Sequence, residues 1–419
     1  MSARTPLWGY LTAMAISVTG TRVSMIAIPW FVLTTTNSAT KTGLVAFAEM
    51  APLVLLQFLA GPLIDRLGAR RVALACASAS VLVVGTIPAL HALGLLTFPV
   101  LLVLVALAGS LRGPGDAAGH AMLPLVVEHA HLPMERVTGL AGAVERTASM
   151  AGAALAGGLV ALVGPTNALV VDAVSFGVAA VVLGLTTRMM RPAPVEADAE
   201  PAPTSYAGEL RDGWSFMRRD PILMGIGVMV AITNLLDQAW SVVLVPVWAL
   251  ESGYGVGAVG LLGATFGGAA ILGSVAAAAW AERLPRYRVY LVCFLIGGVP
   301  RFVALAFGFP LWAVLVVGVV GGCAAGFLNP VLGAVLFDRI PAPLMGRVTA
   351  MNLAMSWSLI PFGGILGGVT VAAFGLSPAL LLIGAAYLVT TMAPAVQPRW
   401  KDMDRRPERE PAPAPAERG

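Results

Sequence analysis

Charged side chains lie inside several long apolar runs of this sequence, where a charge is costly unless it is paired or hydrated. At the centre of a lipid bilayer each such group costs roughly 2.5–3.5 kcal/mol on insertion scales. The set below holds as many acids as bases, which indicates that they pair with one another. It comprises Arg22, Glu49, Arg112, Asp116, Glu145, Arg146, Asp237 and Arg301.

Two groups of polar residues recur at helical spacing. The first is Arg112, Asp116 and His120, and the second is Asn234, Asp237 and Ser241. Residues three or four positions apart lie on one face of a helix. Because a charged face turned toward lipid would be untenable, both faces are predicted to line a wet cavity.

Four of the acids are candidates for carrying a proton. A proton carrier needs a carboxylate that titrates near neutral pH, and a cavity of low dielectric constant favours this. Asp237 is the first candidate because its own helix offers no obvious arginine. Glu49 is the second, whereas Asp116 and Glu145 are expected to be held ionised by Arg112 and Arg146. The alternative for each acid is a structural ion pair.

Further polar and aromatic residues are candidates for the cavity wall or for contact with a bound molecule. Tryptophans inside apolar runs would stack on a lipophilic molecule or, alternatively, pack in the core. The candidates are Arg22, Arg112, His120, Asn234, Trp240, Asn329, Asn352, Ser356 and Trp357.

Composition places these residues in a membrane protein. Of the 419 residues, 58% are hydrophobic and only 11% are charged, too few charges to cover a water-soluble protein of this size. The net charge of +4 does not indicate a nucleic-acid partner, because the arginines lie in alternate loops between apolar runs. The three cysteines are far apart and inside apolar runs, so neither a disulfide framework nor a metal site is predicted.

Twelve apolar runs have the length needed to cross a bilayer of about 30 Å at 1.5 Å per residue. We number them spans 1 to 12. The predicted spans are Trp8–Thr34, Leu44–Ile64, Val72–His91, Pro99–Val126, Val137–Val163, Ala168–Thr187, Ile222–Leu250, Gly257–Ala281, Val289–Phe309, Leu311–Phe337, Val348–Phe374 and Ala379–Val396. The predicted class is therefore all-α, a polytopic membrane protein.

The spans fall into two groups of six. Residues 1–187 form a predicted N-terminal bundle, and residues 221–396 form a C-terminal bundle. Residues 188–220 form a linker that is rich in proline and acids and leads into a short amphipathic helix on the membrane surface. Residues 397–419 form a charged Pro-Ala tail that is predicted to be disordered.

The two groups are an internal repeat. Pro29, Gly43 and Arg71 recur as Pro246, Gly260 and Arg288, all displaced by 217 positions. Farther along, Gly152, Gly157 and Gly164 recur as Gly363, Gly368 and Gly375, displaced by 211 positions. An even number of spans restores the original orientation, so the repeats are predicted to be parallel bundles related by an axis along the membrane normal.

The loop between spans 2 and 3 carries the most specific motif of the chain. Its residues are Gly61, Asp65, Arg66, Gly68, Arg70 and Arg71. This order resembles the signature loop of the major facilitator superfamily, with every position of the motif present. The resemblance implies two six-helix bundles with a cavity between them. It also implies that the loop docks against the start of span 11, with Arg347 as its counterpart, and holds the cytoplasmic side shut.

The distribution of charge predicts the orientation in the membrane. Arginines are concentrated in the loops that share a side with the termini, and the other loops offer only Lys41 and Glu251 as charged residues. Positively charged loops remain in the cytoplasm. We therefore expect a multi-pass protein of the cell membrane with both termini cytoplasmic.

Small residues along span 5, including Gly152, Ala153 and Gly157, resemble the glycine signature of the drug/proton antiporters of this superfamily, although its proline is missing. The alternative is that these small residues serve only for close packing between helices. With the Gly61–Arg71 loop, this similarity to the macrolide, siderophore and tetracycline exporters implies a monomeric secondary exporter. Its partners would be lipophilic drugs or antibiotics, protons and membrane lipid, and it would need no cofactor beyond the proton gradient.

Other functions remain open from the sequence. The same fold would serve for uptake or for lysolipid flipping, because direction is not encoded in these motifs. A membrane enzyme or a ligand-sensing receptor is the alternative from another class. An ATP-driven pump is excluded, because Lys41 and Lys401 are the only lysines and neither follows a glycine-rich phosphate loop.

Overall fold

The computed structural model describes residues 4–188, 190, 206–280, 283–341 and 344–404. Twelve helical segments in this part are long and apolar enough to cross a membrane, as predicted. Their bounds are Thr5–Thr36, Ala39–Leu59, Ala69–Ala92, Phe98–Ala130, Met134–Val163, Pro165–Thr186, Pro221–Glu251, Gly255–Trp280, Arg286–Ala306, Leu311–Arg339, Met345–Phe374 and Leu376–Val396. The largest shift from the prediction is at span 2, because Gly61–Leu67 forms a separate short helix.

Local chemistry explains where several spans begin and end. Gly164 and Gly375, at equivalent joints of the two repeats, have φ of 81° and 82°, a conformation that glycine adopts without steric cost. Span 7 begins after Asp220, whose Oδ1 accepts hydrogen bonds from the backbone nitrogens of Ile222 at 2.9 Å and Leu223 at 3.2 Å. The Asp220 side chain thus pairs with backbone N–H groups that the first turn of a helix leaves without a partner.

Three spans are interrupted. Span 4 is divided at Met122 into Phe98–Ala121 and Leu123–Ala130. Span 11 is divided at Leu359 into Met345–Ser358 and Ile360–Phe374. Each second segment has a proline in its first turn, where the missing N–H is tolerated. Span 7 contains a π-helical turn, Trp240–Leu244, between Pro221–Ala239 and Val245–Glu251. Such turns often mark functional positions.

The two halves repeat the same helix pairings. In the first half span 1 packs on spans 5 and 6, span 2 on span 4, and span 3 on spans 4 and 6. In the second half span 7 packs on spans 11 and 12, span 8 on span 10, and span 9 on spans 10 and 12. The predicted pair of parallel six-helix bundles is confirmed by this agreement.

The repeat extends to single contacts. Arg70 Nη2 donates a hydrogen bond to the carbonyl oxygen of Gly184 at 2.9 Å, which joins the start of span 3 to the end of span 6. At the equivalent place in the second half, the Tyr287 hydroxyl lies within donating distance of two carbonyl oxygens, that of Pro394 at 3.3 Å and that of Ala395 at 3.4 Å. The displacements of 217 and 211 positions relate these two pairs.

The bundles meet through spans 2 and 11 and through spans 5 and 8. A β-carbon on Gly157 would lie 2.7 Å from the Cα atom of Gly260, and one on Gly368 would lie 2.6 Å from the carbonyl oxygen of Ala39. We call the end of the helices at which Thr5 and Asp404 lie the terminal side. The glycine contacts lie near the other end, which we call the opposite side.

Two boundary predictions concern the parts outside the bundles. Most of the linker 188–220 lies outside the described residues, but Tyr206–Arg219 does form a helix. Met217 of that helix is buried against the start of span 11, whereas Trp214 is 39% exposed. The location of the helix on the membrane surface stays a prediction. The prediction that the tail is disordered from residue 397 onward is wrong for its first part. Pro398–Asp404 form a 3-10 helix in which Trp400 and Met403 are buried. Residues 405–419 lie outside the described residues.

Candidate functional site

A cavity of about 300 Å³ lies within the N-terminal bundle, toward the terminal side. Spans 1, 3, 4 and 6 supply most of its wall, and Trp357 of span 11 closes it from the second bundle. Its charged or titratable lining residues are Tyr10, Arg22, Cys76, Arg112, Asp116, His120 and Glu145. The structure thus brings together most of the N-terminal residues that were predicted for the cavity.

Arg112 is the centre of a charged network in this cavity. Its Nη1 lies 3.2 Å from Glu49 Oε1 and its Nε lies 3.9 Å from Asp116 Oδ2. Glycines bring the partners together, because a β-carbon on Gly109 would collide with the carbonyl oxygen of Glu49. Span 2 can therefore approach span 4 closely. Glu49, proposed from the sequence as a free proton carrier, is instead buried and paired with Arg112, and Asp116 shares the same arginine.

Arg22 is a second cation in the cavity wall. Its Nη1 contacts Met25 Sδ at 3.5 Å, and its Nε is buried without a hydrogen-bond partner. Gly152 makes room for it, since a β-carbon there would lie 3.1 Å from the Cβ of Arg22. Arg112 Nη2 reaches the same sulfur at 3.6 Å. Met25 therefore stands between the two guanidinium groups.

Glu145 and His120 complete the polar wall. Glu145 lines the cavity, and it forms no ion pair with Arg146 among the described residues, so the predicted pairing with Arg146 is wrong. The two side chains are successive on the helix and therefore point in different directions. His120 is exposed, and its Nδ1 lies 2.8 Å from the carbonyl oxygen of Asp116.

Asp237, the first candidate for the proton carrier, is paired with an arginine of another span, which is the alternative of a structural ion pair. Its Oδ1 accepts a hydrogen bond and an ion pair from Arg301 Nη2 of span 9. The guanidinium carbon of Arg301 also lies 5.1, 4.9 and 5.1 Å from the ring centres of Trp240, Phe302 and Tyr387. Cation–π contacts stabilise a buried guanidinium. Trp240 is therefore part of an internal cage around Arg301 in the C-terminal bundle, and it lies away from the cavity described above.

The polar candidates of spans 7, 10 and 11 are placed differently from one another. Asn234 Nδ2 donates to the carbonyl oxygen of Ser356 at 2.9 Å, and Ser356 is buried, so this pair joins spans 7 and 11. Asn352 Oδ1 is buried without a hydrogen-bond partner. Asn329 is exposed on span 10. The structure does not bring these residues into the cavity, where Trp357 is the only described lining residue from the second bundle.

The Gly61–Arg71 loop lies on the terminal side. Gly68 has φ of 86°, which explains the glycine at this turn, and Gly61, Asp65, Arg66 and Arg71 are exposed. Arg70 belongs to the bundle rather than to a gate, because its Nε and Nη2 donate to Thr187 Oγ1 at 3.0 Å and Gly184 O at 2.9 Å. Arg347 lies under the helix Tyr206–Arg219, where a β-carbon on Gly213 would lie 3.1 Å from its carbonyl oxygen.

One buried acid was missed by the sequence analysis. Asp172 of span 6 is completely buried, and its carboxylate contacts the hydroxyl groups of Ser24 and Ser175. It was not among the charged residues that the sequence analysis singled out inside the apolar runs. Its position in the middle of an apolar run of 22 residues is the signal that would have identified it.

Comparison with known proteins agrees with this architecture. The sequence model of the Major Facilitator Superfamily matches residues 10–257 and 227–418. The multidrug efflux pump Tap of Mycobacterium tuberculosis is 28% identical over 415 residues, which cover 97% of this chain and 97% of that protein. The multidrug efflux pump Tap of Mycolicibacterium fortuitum is 26% identical over 406 residues, or 96% and 98% of the two chains.

Solved structures show the same fold. The nucleoside transporter NupG superposes with a TM-score of 0.72 at 14% identity, covering 96% of this chain and 99% of that one. A bacterial homologue of the human lysosomal transporter Spinster, in an inward-facing and unoccupied conformation, superposes with a TM-score of 0.70 at 14% identity, covering 97% and 98%. The chain belongs to the major facilitator superfamily and is a multi-pass membrane transporter, not an enzyme.

Proposed function

We propose that this transporter exports lipophilic small molecules, such as drugs or antibiotics, from the cytoplasm in exchange for protons. The two Tap proteins, named as multidrug efflux pumps, support the direction and the substrate class. The proposed mechanism is alternating access, in which the two bundles rock about a site near the middle of the membrane. The protein would act as a monomer and would use no cofactor besides the proton gradient.

The observation that carries the proposal is the position of the charged cavity relative to the contacts between bundles. The cavity around Arg22 and Arg112 lies toward the terminal side, whereas Gly157 and Gly260 hold the bundles together near the opposite side. A molecule would therefore enter from the terminal side and leave from the opposite side after the bundles rock.

The terminal side is assigned to the cytoplasm in this proposal. Four arginines lie on that side, namely Arg66, Arg70, Arg71 and Arg136, whereas the opposite side carries Lys41. Positively charged loops are retained in the cytoplasm. In this proposal the exposed Asp65 and Arg66 would dock on the second bundle near Arg347 when the terminal side closes.

The proton gradient is sufficient as an energy source. Moving one charge through 100 mV is worth about 2.3 kcal/mol, and every 1.4 kcal/mol is about tenfold in a concentration ratio. One proton per molecule would therefore sustain roughly fiftyfold accumulation outside the cell. This is enough to change the susceptibility of a cell to an antibiotic.

The test is expression of the full chain in a bacterium that lacks its own drug exporters. We expect reduced susceptibility to several antibiotics and lower accumulation of ethidium, which serves as a fluorescent lipophilic probe. A protonophore should abolish both effects. An Arg112→Gln variant, produced at the same level in the membrane, should behave like the empty host. Increased accumulation would indicate uptake instead, and efflux that survives the protonophore would exclude proton coupling.

A further inference from the structure

Asp172 has an environment unlike that of the other acids in the spans. It is 0% exposed, and Ser24 Oγ donates to its Oδ2 from span 1. Ser175 Oγ lies 3.3 Å from Oδ1, but the same hydroxyl also donates to the Asp172 carbonyl oxygen at 2.8 Å. In the described part of the chain, no arginine, lysine or histidine lies within 4 Å of the Asp172 carboxylate.

The remaining acids of the spans are paired or exposed. Glu49 and Asp116 share Arg112, and Asp237 is paired with Arg301. Glu145 is exposed to the cavity, where water can solvate it. Because a buried charge without a counter-ion is far more costly than a neutral acid, the surroundings of Asp172 favour its protonated form.

The internal repeat explains why Asp172 has no counter-ion. In the second bundle Asp237 pairs with Arg301, and the equivalent positions in the first bundle are Gly20 and Val84. A β-carbon on Gly20 would collide with Ser175 Oγ and with Asp172 Oδ1, so these two side chains of span 6 together occupy the space that a side chain at position 20 would fill. Val84 is buried and apolar where Arg301 stands in the other bundle.

The helices packed against span 6 supply no neutralising group. These are spans 1, 3 and 5. Their titratable and charged residues are Tyr10 and Arg22 on span 1, Arg70, Arg71, Cys76 and His91 on span 3, and Glu135, Arg136, Glu145 and Arg146 on span 5. None of them hydrogen-bonds to or pairs with Asp172 among the described residues. Arg112 and Glu49 are paired with each other at 3.2 Å.

We propose that Asp172 is the site that binds the transported proton. In the protonated form its O–H can donate to Ser24 Oγ, while the Ser175 hydroxyl shares its one hydrogen between the Asp172 carbonyl oxygen at 2.8 Å and Oδ1 at 3.3 Å, so the neutral acid needs no counter-ion. In each transport cycle, Asp172 binds one proton from the opposite side and releases it to the terminal side. This inference rests on the proton exchange that is part of the proposed function.

Span 1 provides the physical link between Asp172 and the cavity. Within the segment Gly20–Met25, Gly20 and Ser24 face the Asp172 carboxyl group, whereas Arg22 lines the cavity. Met25 contacts both Arg22 and Arg112. A molecule that displaces Arg22 or Arg112 would shift this segment, move Ser24 away from Asp172 and open a path for the proton.

Infrared difference spectroscopy of the purified full chain tests the protonation directly. A titration from acidic to alkaline pH should show the carbonyl stretch of a buried carboxylic acid in the wild type, and Asp172→Asn should lack it. Ser24→Ala should shift the pH at which the band disappears. Glu251→Gln, which removes an exposed acid on the opposite side, is the matched control and should keep the band.

Transport in proteoliposomes tests the coupling. With a pH difference of one unit, the wild type should accumulate ethidium up to about tenfold for one proton exchanged, whereas Asp172→Asn should reach no accumulation. At equal pH, Asp172→Asn should still exchange ethidium across the membrane, which liposomes without protein should not. That retained exchange distinguishes loss of the proton site from misfolding.

Several outcomes would overturn the assignment. Gradient-driven accumulation by Asp172→Asn with the wild-type pH profile would exclude Asp172 as the proton site, as would a carboxylic acid band that survives in this variant. If Asp172→Asn fails to fold, an unchanged titration of the infrared band in Ser24→Ala would count against the proposal. Absence of ethidium transport by the wild type would instead contradict the proposed function, and the infrared titration would still test Asp172.

Discussion

At the scale of single residues, the arginines of the spans are held by quite different partners. Arg112 is shared between two acids and the sulfur of Met25, and it lines the cavity. Arg301 has one acid and three aromatic rings. A side chain enclosed by partners of its own bundle is expected to stabilise that bundle, whereas one that faces a cavity remains available to a transported molecule.

Substitution of Asp237 therefore tests stability more than coupling. Asp237→Asn would leave the Arg301 guanidinium, which is 13% exposed, without its counter-ion. Removing one partner of a buried pair costs about 3–5 kcal/mol, and we expect the lower end because Asp237 is itself partly exposed. Thermal unfolding of the purified protein in detergent should show a lower midpoint.

The double variant Asp237→Asn with Arg301→Gln is the matched control for this prediction, because it removes both charges. It should recover most of the lost stability. An Asp237→Asn protein that unfolds like the wild type but no longer couples ethidium to protons would instead support the sequence-based hypothesis that Asp237 carries the proton.

At the scale of helices, small residues determine which faces can approach. Gly152 of span 5 faces span 1 and Gly157 of the same span faces span 8. Both belong to the pattern that resembles the antiporter signature. In this structure these glycines let span 5 pack closely against both span 1 and span 8. Such packing is expected where van der Waals contact rather than the hydrophobic effect drives helix association in lipid.

Gly157→Ala should weaken the state in which the opposite side is closed. Its new methyl group would lie 2.7 Å from the Cα of Gly260, so the two bundles would have to separate there. Spin labels at Leu93→Cys and Phe307→Cys, in a protein whose three native cysteines are replaced by serine, should show a longer distance and slower ethidium export. Gly158→Ala, where a β-carbon meets open space, should leave the distance unchanged.

Arg70 anchors one helix end to another, so its removal should reduce stability. Arg70→Ala loses hydrogen bonds to Thr187 and Gly184, and each hydrogen bond from a charged donor contributes about 1.5–3 kcal/mol. We expect the lower part of that range, because the guanidinium is only partly buried. Arg71→Ala, one position along and exposed, should leave the unfolding midpoint unchanged; equal midpoints for both variants would contradict the anchoring role.

At the scale of the whole molecule, the orientation in the membrane is open to a direct test. A membrane-impermeant maleimide applied to intact cells should label Lys41→Cys on the opposite side. It should label Arg66→Cys on the terminal side only after the membrane is permeabilised. Labelling of Arg66→Cys in intact cells would reverse the assignment of the two sides, and with it the proposed direction of export.

The twelve spans and the two bundles could be predicted from the sequence because apolar length and internal repetition are properties of the chain itself. Ion pairing between spans could not. The partner of Asp237 lies 64 positions away on span 9, and no local spacing indicates which of several arginines it meets. Asp172 could have been found as an acid inside an apolar run, but its lack of a counter-ion becomes visible only when the neighbouring helices are in place.

The contacts of Arg70 with Gly184 and of Tyr287 with Ala395 describe how the duplicated halves diverged. The donor is a guanidinium in one copy and a phenol in the other, yet each reaches a carbonyl at the matching place. The two halves share the position of this contact but not the chemistry of the donor. Any side chain that is long enough to donate to that carbonyl oxygen would make the contact. A designer who exchanges segments between the halves should therefore keep the length of this donor side chain before its charge.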